Sequence, residues 1–284
     1  MWLTAAHGDS GLITTGSFAS NDVERDHLRI VTYNLHGPAT RRVPQLIQLL
    51  KTHPELSVAN ILALQETNRN SPRSGNHDIA SLLAAELGMH FAYATEQVYR
   101  AGWGERGLAL LSDFPLSDVS RITLPVTGPG GRRRIALSAN VDLGLTTLRI
   151  VNAHLETRIT PKARAEQMQA LLANSVDDNE PMIILGDFNT FTARHTRTMT
   201  ELMQQQGFDT PMGGDVATFR TFVLLRLKLD WIWLRGIPPL ATQVESNIKV
   251  SDHRPVWVDV DIEALGNSRV GVVGVTGAYY LGSR

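Results

Sequence analysis

Apolar positions along the chain repeat with two different periods. The run LRIVTYN over 28–34 is β-branched and aromatic and stops at His36-Gly37-Pro38, which predicts a strand closed by a turn. Residues 42–53 instead carry Val43, Leu46, Ile47, Leu49 and Leu50 at helical spacing, with Pro44 in the first turn. ILALQE over 61–66 predicts a second strand. Asp78 is placed to cap a helix that runs to Leu87 and ends at Gly88. The middle of the chain reads as strands over 90–98, 107–112, 116–124, 134–143 and 147–154. Pro161 opens a helix to about Ala173, and PMIILGDFN over 181–189 is a buried strand running into a turn. A helix over 194–206 follows, then strands over 229–235, 241–248 and 255–262. Strands outnumber helices, and helices interrupt both halves. That pattern fits an α/β sandwich, two packed sheets with helices outside them.

The ends of the chain break the pattern. Residues 1–27 are rich in Ser, Thr, Gly and Asp with no clear period, and read as a flexible N-terminal arm. Order is expected to begin at Leu28, with one domain over 28–263 and a Gly- and Val-rich tail over 264–284. Nothing over the first 27 residues has the layout of a signal peptide, and no apolar run approaches the roughly 20 residues needed to cross a bilayer. A soluble monomer with a lean to the cytoplasm is the expectation.

Composition narrows the chemistry. The 284 residues are 43% hydrophobic, enough for a sizeable core. Lys plus Arg is 27 against 28 Asp plus Glu, so the net charge of −1 gives no global attraction to nucleic acid or an anionic membrane. There is no cysteine, which excludes disulfides and thiolate metal sites. Any metal must take oxygen and nitrogen ligands. The nine histidines include no HxH or HExxH spacing, which argues against a zinc hydrolase.

Several polar residues share one placement. Asn34 follows RIVTY, Glu66 follows ILALQ, and His154 follows LRIVNA. Asp187 and Asn189 follow PMIILG, Asp230 sits in LKLDWIWL, and Asp252 and His253 precede RPVWVDV. Each alone suits a turn or a cap. Together they are carboxylate, amide and imidazole groups at the ends of apolar strands, delivered to one rim of a rigid scaffold.

These segments resemble the endonuclease/exonuclease/phosphatase superfamily, which includes deoxyribonuclease I, class II AP endonucleases, sphingomyelinases and inositol-polyphosphate 5-phosphatases. The matching motifs are TYNLHG (32–37), ALQET (63–67), GLALLSDFPL (107–116), NAHLE (152–156), ILGDFNT (184–190), LDWIW (229–233) and SDHRPV (251–256), in family order over about 28–262. The resemblance implies a four-layer α/β/β/α sandwich and divalent-metal hydrolysis of a phosphate ester.

It also implies roles. Glu66 is the leading metal ligand, with Asn34 and Asp252 around the same ion, and hard oxygen donors suit Mg²⁺ or Mn²⁺. Asp187 is the candidate to orient and deprotonate water, and Asn189 to hold a phosphoryl oxygen. His253 would contact phosphate with Asp230 behind it. His154 matches a second active-site histidine, and Glu105 falls where its carboxylate partner is expected, with Arg106 as the other candidate for that position. Arg134, in the run Arg132-Arg133-Arg134, is the candidate substrate contact. Arg164 and Gln167 resemble a recurring pair that braces the site loop.

The substrate is less well marked. Arg158, Lys162, Arg164, Arg194, His195 and Arg197 offer a basic rim with Trp103 nearby, which allows DNA or RNA. Nuclease-type phosphodiesterase activity is the first reading. A phosphatase or phospholipase C-type enzyme on a lipid headgroup or small metabolite is the alternative. A non-catalytic binding module on the same fold ranks below both, because Glu66, Asp187, Asn189 and His253 are all present.

Overall fold

A computed structural model describes residues 12–20, 27–144, 146–175, 180–213, 216–220 and 226–262. They form two sheets, packed face to face and covered by helices on both outer sides.

The first sheet has seven strands in the order β1-β4-β5-β3-β2-β14-β13. These are β1 (Ile13–Ser17), β2 (His27–Asn34), β3 (Ile61–Arg69), β4 (His90–Val98), β5 (Glu105–Ser112), β13 (Pro239–Val244) and β14 (Val256–Asp261). The second has five, in the order β12-β9-β8-β7-β6. They are β6 (Leu116–Thr123), β7 (Ile135–Asp142), β8 (Thr147–His154), β9 (Met182–Asp187) and β12 (Asp230–Arg235). A two-stranded ribbon, β10 (Phe219–Arg220) with β11 (Arg226–Leu227), stands apart from both.

Alternation along the strands builds three apolar layers. Leu28, Ile30, Leu108 and Leu110 of the first sheet meet Ile150, Ile183, Leu185 and Ile232 of the second in the central layer. The opposite faces bury Val31, Tyr33, Leu62 and Leu64 under α1 (Val43–Thr52) and α2 (Ile79–Leu87). On the far side Val151, Ile184, Trp231 and Trp233 pack under α3 (Pro161–Ser175) and α4 (Ala193–Gln205). The architecture is therefore α/β/β/α, as the sequence implies. Caps agree as well: Asp78 accepts a hydrogen bond from the Ser81 amide at 3.1 Å, and Thr192 accepts from the His195 amide at 3.2 Å.

One expectation is corrected at the N-terminus. Residues 13–17 are not part of a flexible arm; they form β1, an antiparallel edge strand paired with β4 from Ile13↔Ala94 to Ser17↔His90. The segment ITTGS carries too few apolar residues to announce a strand. Its order comes from the partner edge and from the stacking of Phe18 on Phe91, with ring centroids 6.2 Å apart. The tail over 264–284 lies outside the described residues.

Candidate active site

Three strands of the second sheet bring their polar ends into one row. In the pairing register His154 of β8 stands opposite Asp187 of β9, and Asp187 stands opposite Asp230 of β12. Gly186 makes this possible. Its φ is +136°, and an added Cβ would lie 2.0 Å from the Ala153 carbonyl oxygen, so only glycine lets β9 approach β8 closely just before Asp187.

Asp187 is buried and held on all sides. Its Oδ2 accepts a hydrogen bond from Asn34 Nδ2 at 2.9 Å, and its Oδ1 accepts from the Asn189 amide at 3.0 Å. The same Oδ2 lies 3.5 Å from His154 Nε2 and 3.8 Å from His253 Nε2. One carboxylate oxygen thus faces two imidazoles. Asn189, at φ +52°, donates through Nδ2 to the Leu155 carbonyl at 2.8 Å, which fixes the turn after β9.

The two imidazoles are set in different ways. His253 Nδ1 donates to the Asp230 carboxylate at 2.8 Å, leaving Nε2 turned to Asp187. Burial opposes a charged ring here, but Asp230 and Asp187 outweigh it and raise the His253 pKa to about 10. His154 Nδ1 instead lies 2.9 Å from Arg134 Nη1. A guanidinium only donates, so Nδ1 accepts and the ring proton sits on Nε2, facing Asp187.

That contact corrects two expectations. Glu105 does not partner His154; it pairs with Arg69 at 3.2 Å. The carboxylate near His154 is Glu96 of β4, with Oε2 3.5 Å from Nδ1. Arg134 is not a surface contact for substrate. It is 2% exposed and bound to Glu96 at 2.5 Å and Glu156 at 3.1 Å, and Arg132 donates to Glu156 as well. Burial would raise the pKa values of both glutamates, but the arginines hold Glu96 well below the carboxylate range and Glu156 at about 2. Arg164 likewise belongs to no basic rim. It is buried and donates to the carbonyls of Glu156 and Thr157, while Gln167 accepts from the Glu156 amide, so the pair braces the loop after β8.

Glu66 sits where β3 departs from regular pairing with β5, between Leu64 and Thr67, at φ +53°. Such a backbone in a residue other than glycine is strained, typically by about 1–3 kcal/mol. Its Oε2 accepts from Arg106 Nη1 at 2.8 Å and its Oε1 lies 3.9 Å from His154 Nε2. Burial would raise its pKa, but Arg106, His154 and Arg134 together lower it, so the carboxylate is ionised. Asp252 pairs with His36 Nδ1 at 3.0 Å; burial would raise its pKa, yet this contact and His253 bring it down to about 2. Asn34 Oδ1 accepts from the His36 amide at 2.9 Å. Glu66, Asn34 and Asp252 are thus two ionised carboxylates and an amide oxygen, a donor set that fits a hard divalent cation. Asp187, Asp230 and His253 also have ligand atoms within 4.8 Å of one another. In that trio His253 and Asp230 are already hydrogen-bonded to each other.

Sequence reasoning missed Glu96, Glu156 and His36. Glu96 carried a usable signal: a carboxylate inside the apolar strand AYATEQV needs a buried cation. Glu156 and His36 lie within matched motifs, and only their partners in space mark them.

Comparison with known proteins places the chain in a family and matches its fold. The model of the Endonuclease/Exonuclease/phosphatase family matches residues 31–253. A protein of Escherichia coli (strain K12), uncharacterized protein YbhP, is 25% identical over 256 residues, covering 82% of this chain and 96% of its own length. The crystal structure of an endonuclease/exonuclease/phosphatase from Beutenbergia cavernae DSM 12333 superposes with a TM-score of 0.68 at 20% identity, over 84% of this chain and 72% of that one. A 3'-5' exonuclease from Neisseria meningitidis superposes at 0.59 and 20% identity, over 82% of this chain and all (100%) of that one. Among the described residues no helix is long and apolar enough to cross a membrane.

Proposed function

The chain belongs to the endonuclease/exonuclease/phosphatase family, and from that premise we propose that it is a divalent-metal-dependent phosphodiesterase with nuclease-type activity. The observation that carries this reading is the Asp187 carboxylate held between two imidazoles, one backed by Asp230 and the other by Arg134.

A phosphodiester resists water because its charge repels nucleophiles and its leaving oxygen is basic. Asp187 is the group that takes a proton from the attacking water. Asn34 and the Asn189 amide fix the carboxylate, so one oxygen stays turned to the space between the histidines. His253 donates through Nε2 to a phosphoryl oxygen, and Asp230 supports its positive form. His154 offers a second Nε2 proton from the opposite side. Asn189 keeps one amide proton beyond its bond to Leu155 for a phosphoryl oxygen. Glu66, Asn34 and Asp252 would hold Mg²⁺ or Mn²⁺, which supplies neutralisation of phosphate charge and stabilises the departing oxygen.

The test is a substrate panel with Mg²⁺, Mn²⁺ and EDTA arms: bis(p-nitrophenyl) phosphate, supercoiled plasmid, abasic DNA, sphingomyelin and phosphoinositides. The expected result is metal-dependent cleavage of the diester and of nucleic acid, abolished by EDTA. Asp187→Asn should lose about 10³-fold or more in kcat, in the range of a lost general base, with an unchanged melting temperature. Full activity in that variant, or activity that survives EDTA, overturns the mechanism. Headgroup release without nucleic-acid cleavage overturns the nuclease reading in favour of a lipid phosphodiesterase.

A further inference from the structure

Beside the site lies an open cleft of about 510 Å³, lined by Asn68, Ser71, Arg73, Tyr99, Arg100 and Trp103. Small-ligand sites span roughly 300–1,000 Å³. Trp103 is 64% exposed, whereas the other described tryptophans, Trp231, Trp233 and Trp257, are buried.

The cleft is built, not incidental. Trp103 stands on a tight loop closed by the Tyr99 amide donating to the Gly104 carbonyl at 2.9 Å. Gly104, at φ +77°, packs onto the carbonyl oxygens of Arg69 and Asn70, and a Cβ there would lie 2.4 Å from both. The indole is therefore presented by fixed backbone. The opposite wall is equally tied. Asn68 Nδ2 donates to Ser74 Oγ at 2.7 Å, Ser74 Oγ donates to the Pro38 carbonyl at 2.6 Å, and the Asn76 amide donates to the Ser71 carbonyl at 2.8 Å.

Its charge is one-sided. Arg73 and Arg100 are exposed, and among the described residues neither pairs with a carboxylate. In a chain of net charge −1 this is a local cationic spot beside an aromatic face. It also adjoins the proposed catalytic groups, one residue removed. Arg73 Nη2 donates to the His36 carbonyl at 3.4 Å, and His36 holds Asp252. Asn68 pairs across the sheet with Arg106, whose guanidinium holds Glu66.

We propose that this cleft binds the nucleotide next to the scissile phosphate of a single-stranded nucleic acid, with its base stacked on Trp103 and its phosphates against Arg73 and Arg100. An indole face stacks on any unpaired base, and guanidinium groups track the backbone without reading sequence. A duplex hides its base faces, so an exposed Trp on a rigid loop selects unpaired strands. The inference rests on the phosphodiesterase reading for the chemistry, but its test reads binding rather than turnover.

The experiment is fluorescence anisotropy of a short labelled oligothymidylate with the full chain in EDTA. Trp103→Ala should bind about tenfold more weakly, a loss of about 1.4 kcal/mol, and Trp103→Phe should restore most of it. Arg73→Ala and Arg100→Ala should each reduce the salt slope of log K by about 0.7. An abasic strand of the same length should bind wild type and Trp103→Ala alike. Equal oligothymidylate affinity in wild type and Trp103→Ala overturns the proposal. So does an equal loss on the abasic strand, or Trp103-dependent binding to phosphatidylserine vesicles with none to the oligonucleotide. Base-dependent binding in an enzyme that cleaves no ester of the panel supports the cleft and removes the phosphodiesterase reading. Cleavage with no Trp103 dependence of binding does the reverse.

Discussion

Asp230 touches no solvent and meets the proposed site through His253. Its carboxylate accepts from the ring's Nδ1 and so fixes which nitrogen faces Asp187. Asp230→Asn would keep the shape of the side chain but allow the amide to donate to the ring, turning the wrong nitrogen state toward the site. The expected loss in kcat is about 10²–10⁴-fold with a much smaller change in KM, measured by steady-state hydrolysis of bis(p-nitrophenyl) phosphate. A variant with near-normal kcat would show that His253 does not depend on this partner. At this scale the sequence was informative where a polar residue interrupted or ended an apolar run, as at Asp187, Asp230 and His253. It was misleading where the family resemblance assigned a partner by its place in the chain. Glu105 lies near the expected place in the chain, yet its side chain goes to Arg69, while Glu96 from the neighbouring strand approaches His154. Which of two nearby carboxylates reaches a ring depends on strand alternation and on the irregular pairing between β4 and β5 near Thr95, and neither is written in local pattern.

At the scale of elements, β9 depends on one residue. Gly186 lets the strand lie against β8, and any side chain there collides with the Ala153 carbonyl. Gly186→Ala should destabilise the fold by at least about 2 kcal/mol, a lowering of the melting temperature by about 4–8 °C. Calorimetry on the variant checks this, and an unchanged melting temperature would mean that the two strands can separate without penalty. Long strands and helices were legible because each buries a face with a clear period: α1 and α2 sit where the apolar spacing and Asp78 put them. The short elements were not. β1, β10 and β11 carry few apolar residues, and their order is conferred by a neighbour. Secondary structure that is borrowed from a partner leaves little trace in its own sequence.

Across the whole molecule, buried charge links the two sheets. Glu96 of the first sheet meets Arg134, which reaches Glu156 beyond the end of β8 in the second. The Glu156 carboxylate ordinarily titrates near 4.5 and is held at about 2 in the fold, because both arginines favour its ionised form over the opposing effect of burial. Its contribution to stability is present above about pH 4.5 and is lost as pH falls towards 2. Urea unfolding of wild type and Glu156→Gln across that range should show a gap that narrows as the pH falls. A gap that stays constant would place the origin of acid sensitivity elsewhere. The row formed by His154, Asp187 and Asp230 has a wider consequence. Its spacing is set by backbone pairing between neighbouring strands of one sheet, whereas the cleft around Trp103 is made mostly by loops. The proposed reactivity and selectivity therefore rest on separate parts of the backbone. On the proposed reading, the loops can lengthen, shorten or be exchanged to take up a new substrate while the paired backbone keeps the spacing of the row.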